Sequence, residues 1–352
     1  MSHGVYDARG PSAFTKAAWR FDLRLPPGGV RPWRHVSEPL ALDELVVIGA
    51  YDFVYHAIDA RKGKARWAFA AYAAPPMRGG LATPIPYDAT TLLLSCEGAV
   101  VGVDRETGAE RLRVPHDAVL APPACIGPRL VVSTATHLAG IEIASGREAW
   151  RLGAPSESIA PIAWEGDLAV AKLRDGTLLA FDPARGVERW RRVGPQTGRS
   201  PALVRDGVVY APMGAAGCLR ALAGATGARL WEHRVPAHVY GAPVLAKGTV
   251  LFSGVLGSGP AALHAVDART GEARWKADVA SYTRSVEVCV ALGDEGAPVV
   301  FATASQRLVG LSLATGEPLM ETETSNTFQT APVVSGAALL AATTHHLLAY
   351  RG

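Results

Sequence analysis

The sequence predicts an all-β protein, an eight-bladed β-propeller of four-stranded antiparallel blades. Three observations predict it. One ten-residue segment recurs seven times in a single frame, an apolar run rich in β-formers precedes each copy, and the two chain ends complement each other. The copies are residues 58–67, 103–112, 141–150, 181–190, 222–231, 266–275 and 311–320. Their turn glycines fall at 63, 108, 146, 186, 227, 271 and 316, in steps of 45, 38, 40, 41, 44 and 45. A fixed period of about forty residues decides the architecture before any single motif does.

Each period resolves into four strands. The first is short and opens on a proline in seven of the eight units: Pro39, Pro84, Pro122, Pro161, Pro201, Pro243 and Pro332. Proline is tolerated there because the first residue of a strand need not donate to the ladder. The second is an apolar run, such as residues 45–50, 92–96, 130–134, 208–211 and 299–303, which reads as a buried strand. The third ends near an Asp. A two-residue turn, most often Thr-Gly, leads to a fourth strand carrying Trp, and glycine supplies the positive φ of that turn. Four such strands in forty residues make a propeller blade. After the seventh copy, residues 330–336, 338–342 and 346–350 supply only three strands, and the missing Trp-bearing one is present as residues 16–21. An N-terminal strand that completes the last blade closes the ring and removes an aggregation-prone edge. The expected organisation is a flexible segment over 1–14 and a single propeller domain over 15–352.

The Asp-x-x-Thr-Gly-x-x-x-Trp pattern, together with Gly-Arg-Ser-Pro201 and Tyr-Gly-Ala-Pro243, resembles the PQQ-like, quinoprotein-type propeller family over residues 16–352. It is similar in fold to the outer-membrane assembly lipoprotein with the same eight blades. The resemblance speaks to fold more than to function, because propellers host many unrelated functions. Departures from the pattern are Leu112 and Met320 at the Trp position, Glu142, Ala223 and Ser312 at the Asp position, and Val286 at a blade-opening proline. Blades 2, 5 and 7 are therefore the ones expected to be irregular. Quinoproteins of this kind hold their quinone with a calcium site of carboxylates and Asn, an adjacent-cysteine disulfide and a Trp platform. Here no cysteines are adjacent and Asn326 is the one Asn, so no cofactor is expected.

Composition narrows the classes further. Thirty-five Lys plus Arg against 32 Asp plus Glu leave a net charge of +3, which gives no warrant for a nucleic-acid partner. No apolar run reaches the roughly 18 residues of a membrane helix. The polar N-terminus lacks a signal-peptide core, and Cys96, Cys125, Cys218 and Cys289 read as buried free thiols of a reducing compartment. A cytoplasmic location is the expectation.

Catalytic signatures are missing. There is no phosphate loop, HExxH, nucleophile elbow or CxxC pattern. Residues 253–260, rich in glycine, read as a long hairpin turn. His345 and His346 point to opposite faces of a strand and make no metal site. Asp59, Asp104, Asp182 and Asp267 read as turn acceptors, and Trp19, Trp67, Trp150, Trp190, Trp231 and Trp275 as inter-blade packing. What remains is the rim of the central funnel, just before each blade-opening proline. The candidate binding residues there are Arg34, His35, Arg199, Tyr240, Arg284 and Gln329, with Ser37, Ser158, Leu81 and Ala82 beside them. Guanidinium groups suit carboxylate or phosphate. The sequence thus points to a non-enzymatic scaffold for an unidentified protein or peptide, an anionic group being the sharper version of that partner, and the scaffold's loops, with Tyr72 and Met77, add contacts. The alternatives are a small-molecule or carbohydrate sensor and, further off, a propeller enzyme without a bound quinone.

Overall fold

The computed structural model describes residues 5–11, 13–14, 16–23, 36–72, 81–116, 121–194, 198, 200–256, 260–281, 283, 286–293 and 296–351. The fold is an eight-bladed β-propeller. Its eight antiparallel four-stranded repeats span residues 40–70, 85–115, 124–153, 163–192, 203–234, 238–280, 287–323 and 333–351, the last completed by Ala17–Asp22. By contacts the chain forms two compact units. Residues 114–285 hold blades 3 to 6, and residues 2–113 with 286–352 hold blades 1, 2, 7 and 8.

The second and third strands of each blade are almost wholly buried, as in Leu45–Gly49 and Leu168–Lys172. The fourth strands alternate between covered and exposed positions, as in Glu148–Gly153. Opposite each fourth-strand Trp stands a residue too small to push it away: Ala57 faces Trp67, Gly140 faces Trp150, Ala180 faces Trp190, Ala221 faces Trp231 and Ala265 faces Trp275. A register shift follows immediately in all five pairs. This bulge bends the strand and leaves the indole free to lean outward from its own sheet.

It leans onto the next blade. The Nε1–H of Trp19 donates to the Ala60 carbonyl at 2.9 Å and that of Trp67 to Arg105 at 2.9 Å. In the other unit Trp150 reaches Pro183 at 3.0 Å, Trp190 reaches Gly224 at 2.7 Å and Trp231 reaches Ala268 at 3.0 Å. Each ring lies flat over the turn glycine of that blade: a Cβ added to Gly63, Gly108, Gly186, Gly227 or Gly271 would stand within 2.7 Å of it. These glycines are thus required twice, for a positive φ of 66–74° and for the space the indole fills. The aromatic body is buried while its one polar atom stays bonded.

The turn aspartates behave as expected. Asp59 accepts the backbone N–H groups of Arg61 and Lys62, and Asp104 those of Glu106 and Thr107. Asp182 accepts from Ala184 and Arg185, and Asp267 from Arg269 and Thr270. Seven residues on, Arg66 and Arg274 close the same carboxylates at 2.9 and 2.8 Å. Arg274 beside Asp267, with the two backbone donors, holds that carboxyl well below the usual carboxylate range. A depressed acid stabilises the fold above its unfolded pKa of about 4 and loses that contribution as pH falls. Asp267→Ala is therefore expected to lower Tm at pH 7, and thermal melts at decreasing pH should show the gap to wild type shrinking below about pH 4.

Three expectations are corrected. Within the segment expected to be flexible, Val5–Arg9 forms a strand paired in parallel with Glu287–Leu292, so the sheet of blade 7 has five strands. The apolar side chains of Tyr6, Ala8 and Phe14, packed on the core around Cys289 and Phe301, explain the docking. Blade 5 keeps its four strands and its turn although Ala223 replaces the Asp, because the Gly227 N–H still closes the turn on the Ala223 carbonyl; its departure is a 3-10 turn at Gly214–Ala216. Cys125 is half-buried, whereas Cys96, Cys218 and Cys289 are buried; all four are free. Val255 pairs with Ala261 on either side of the glycine-rich stretch, of which residues 257–259 lie outside the described ones.

Candidate functional site

Of the expected rim residues, Arg34, His35, Arg199 and Arg284 lie outside the described residues, as does Met77. Tyr240 is in the unit 114–285 and Gln329 in the other. Gln329 is half-buried; its backbone N–H donates to Ala342 at 2.8 Å and its side-chain amide turns back to the Thr327 and Phe328 carbonyls. Ser37 and Ser158 are not exposed rim residues. The Ser37 hydroxyl receives the Gly49 N–H, and Ser158 is fully buried between Ser133, which accepts its N–H at 2.7 Å, and the Ala160 carbonyl. Leu81 is buried and Tyr72 packs on the core of blades 1 and 2.

Tyr240 is different, and the strands of blade 6 show why. The first strand, His238–Ala246, runs nine residues where most of its counterparts run three. Its first three residues pair with Ser253–Val255 beyond a register shift between Tyr240 and Val244. This extension prolongs the sheet of blade 6 beyond the length of most other first strands. The Ser253 hydroxyl donates to the Tyr240 carbonyl at 2.5 Å and pins the backbone, so that the ring stands 38% exposed beside His238, with ring centres 6.0 Å apart. At the tip Leu256 is 59% exposed. A pocket of about 300 Å3 lies beside it, lined by Gly217, Val235, Ala237, His238 and Leu256; Tyr240 neighbours it through His238. Its walls are mostly backbone and apolar. Behind the strand, burial pushes the His264 imidazole down to about 4, stacked on Phe252 at 5.2 Å, so it is neutral at physiological pH. The surface offers the aromatic rings of Tyr240 and His238 and the aliphatic side chain of Leu256.

One charged residue is deeply buried in the same unit, and the sequence reading passed over it. Lys172 is 1% exposed, at the end of Leu168–Lys172. Its ammonium donates to the carbonyls of Ser200 at 2.6 Å and Pro212 at 2.8 Å, both in blade 5. Ser133 and Thr303 occupy the same strand position in blades 3 and 7 and make the equivalent tie to the following blade. Lys172 is thus a longer version of a structural bond, and burial pushes its amine down to about 7. A lysine inside the run Leu-Ala-Val-Ala-Lys-Leu was the signal for it.

The residues do not fit a quinone cofactor. No two cysteines are adjacent, and Asn326 donates its backbone N–H to the neighbouring Thr324 hydroxyl. Trp19, Trp67, Trp150, Trp190 and Trp231 are spent on the neighbouring turns. Among the described residues, no three His, Cys, Asp or Glu side chains gather in a metal-binding arrangement.

The profile of the outer membrane protein assembly factor BamB family matches residues 15–118, 52–206, 114–288 and 259–350. No curated protein gives a significant match. Among solved structures, BamB from Moraxella catarrhalis superposes with a TM-score of 0.69 at 16% identity, over 90% of this chain and 96% of that one. The computationally designed Ika8 protein gives 0.72 at 16% identity, over 97% and 99%. A quinohemoprotein alcohol dehydrogenase from Pseudomonas putida HK5 gives 0.70 at 14%, over 96% of this chain and 76% of that one. At such identities these structures share the fold and nothing finer.

Proposed function

The chain belongs to the outer membrane protein assembly factor BamB family, and on that premise we propose that it is a non-enzymatic scaffold that binds a protein or peptide. The observation that carries this reading is the extended first strand of blade 6, where exposed Tyr240 stands beside His238 and where His238 and exposed Leu256 line the pocket. Exposed aromatic and aliphatic anchors around a concavity are the means by which interfaces gain most of their affinity, and a rigid sheet holds them in place. The turn aspartates and blade tryptophans, by contrast, are consumed in holding the fold. The four free thiols support work in a reducing compartment such as the cytoplasm.

A second reading, a small-molecule or carbohydrate sensor, draws on the same pocket, since an aromatic face beside a cavity also suits a sugar ring. Affinity capture from native lysate separates the two. Tagged wild type and a Tyr240→Ala, Leu256→Ser variant are used in parallel, with mass-spectrometric readout. The expected result is a protein retained by wild type and lost by the variant. A protein held equally by both would remove the site. No protein with either, together with a Tm rise on adding a metabolite or sugar, would favour the sensor.

A further inference from the structure

We propose that the edge of blade 7 formed by Glu287–Leu292 is a strand-accepting peptide site, filled in cis by Val5–Arg9 and open to an extended peptide of the same chemistry. That chemistry is an aromatic residue and a small apolar one two positions apart, followed by glycine, as in Tyr6, Ala8 and Gly10. This site belongs to the unit that does not carry Tyr240, and it stands or falls separately from the scaffold reading of that surface.

Blade 7 is complete without its fifth strand. Glu287–Leu292 pairs along its whole length with Pro298–Ala304, and the next two strands follow the pattern of every other blade. Val5–Arg9 lies outside the forty-residue repeat, and among the described residues no other blade carries such an addition. Its pairing is parallel and thin: Val5 aligns with Val290 and Arg9 with Leu292, with an irregularity between them, and the Gly10 N–H then donates to the Leu292 carbonyl at 2.8 Å. The side chains supply the selectivity. Tyr6 and Ala8 pack on the cluster of Cys289, Ala291, Phe301 and Val334. Phe14 meets Phe301 and Tyr350 with ring centres 5.9 and 5.5 Å apart. A Cβ on Gly10 would stand 2.6 Å from the Phe301 ring, so only glycine passes at that point.

A main-chain edge that gives affinity, with alternate side chains read by pockets, is the recognition mode of β-strand addition. Were Val5–Arg9 to leave, blade 7 would keep its four strands but show an unpaired edge over an apolar floor. Such an edge demands a cover, and the present cover is bound only through side chains and a few backbone bonds. A like segment from a partner therefore competes for the same place.

The test uses purified full-length protein and a labelled synthetic peptide with the sequence of residues 2–14, read by fluorescence anisotropy. The tethered strand acts as a competitor at an effective concentration on the order of millimolar, so wild type should bind the peptide weakly. A Tyr6→Asp, Ala8→Asp variant places carboxylates against the apolar floor and should release the tethered strand. The expected result is peptide binding at least about tenfold tighter by the variant than by wild type, with a scrambled peptide ineffective. Equal binding by both proteins, or equal binding of the scrambled peptide, would overturn the proposal. Should the variant not fold, hydrogen exchange on wild type decides. Excess peptide should speed exchange of amides 5–10 while 287–292 stay protected, and an unchanged rate at 5–10 would sink it.

Discussion

Replacing Trp190 by Ala is expected to destabilise the protein by about 3–5 kcal/mol, the usual loss for emptying the space of a buried Trp. Trp190 is 6% exposed, lies over Gly227 and donates to the Gly224 carbonyl at 2.7 Å. The converse change should also be costly. Gly227→Ala asks an L residue to adopt a φ of 67°, at about 1–2 kcal/mol, and sets a methyl 2.7 Å from the indole, an overpacking worth about 1–3 kcal/mol. The double variant separates this geometry from general damage. With the indole gone the new methyl has room, so the two losses should sum to more than the double loss, by roughly 0.5–3 kcal/mol. Urea unfolding of the four proteins gives the cycle. Strict additivity would mean that the ring and the glycine do not share the space described.

The second large effect concerns Lys172. Burial lowers its folded pKa to about 7, while an unfolded chain titrates it near 10.4. Between those values the unfolded state holds more protons than the folded one, so stability rises with pH. Below about pH 7 both states are charged and the slope vanishes; above about pH 10.4 both are neutral. Within the window a single proton gives a slope approaching about 1.4 kcal/mol per pH unit. Lys172→Met keeps the volume and removes the titration. Urea midpoints measured from pH 6 to pH 10 should rise for wild type and rise less steeply for the variant. Parallel curves would show that the amine carries its proton at the same pH in both states. The variant also leaves the carbonyls of Ser200 and Pro212 without this donor, so its stability near pH 7 measures how far losing the charge offsets losing the bonds.

Much of this architecture was legible because the repeat writes its structural bonds many times over, the turn Asp in four of the seven copies and the Trp in five. Asp and Trp recur at one spacing, and a residue that holds a fixed place in every period performs one geometric task in every blade. The eight-blade count and the pairing of Ala17–Asp22 with the last strand follow from matching the two chain ends. Features that occur once were hidden. Val5–Arg9 pairs with a strand some 280 residues away, and five residues with no second copy carry no periodicity to betray a non-local partner. The burial of Ser37 and Ser158 was missed for another reason: their hydroxyls satisfy backbone groups between strands, so polarity there signals closure of the fold instead of exposure. The extension of blade 6 that carries Tyr240 was not expected, since strand length depends on pairing and not on the residues before a proline.

The indole contacts run in one direction. Trp67, Trp150, Trp190 and Trp231 each extend forward over the next blade's turn glycine, and their own blades each carry a turn glycine, at 63, 146, 186 and 227, so donor and acceptor are encoded in the same stretch of chain. Two copies of such a unit are automatically compatible, because each brings a plug for its successor and a socket for its predecessor. Duplication of one unit therefore needs no compensating change at the junction it creates. The sequence drift visible at Leu112 and Met320 then marks the joints where that interchangeability has been given up, and where this ring is no longer a set of equal parts.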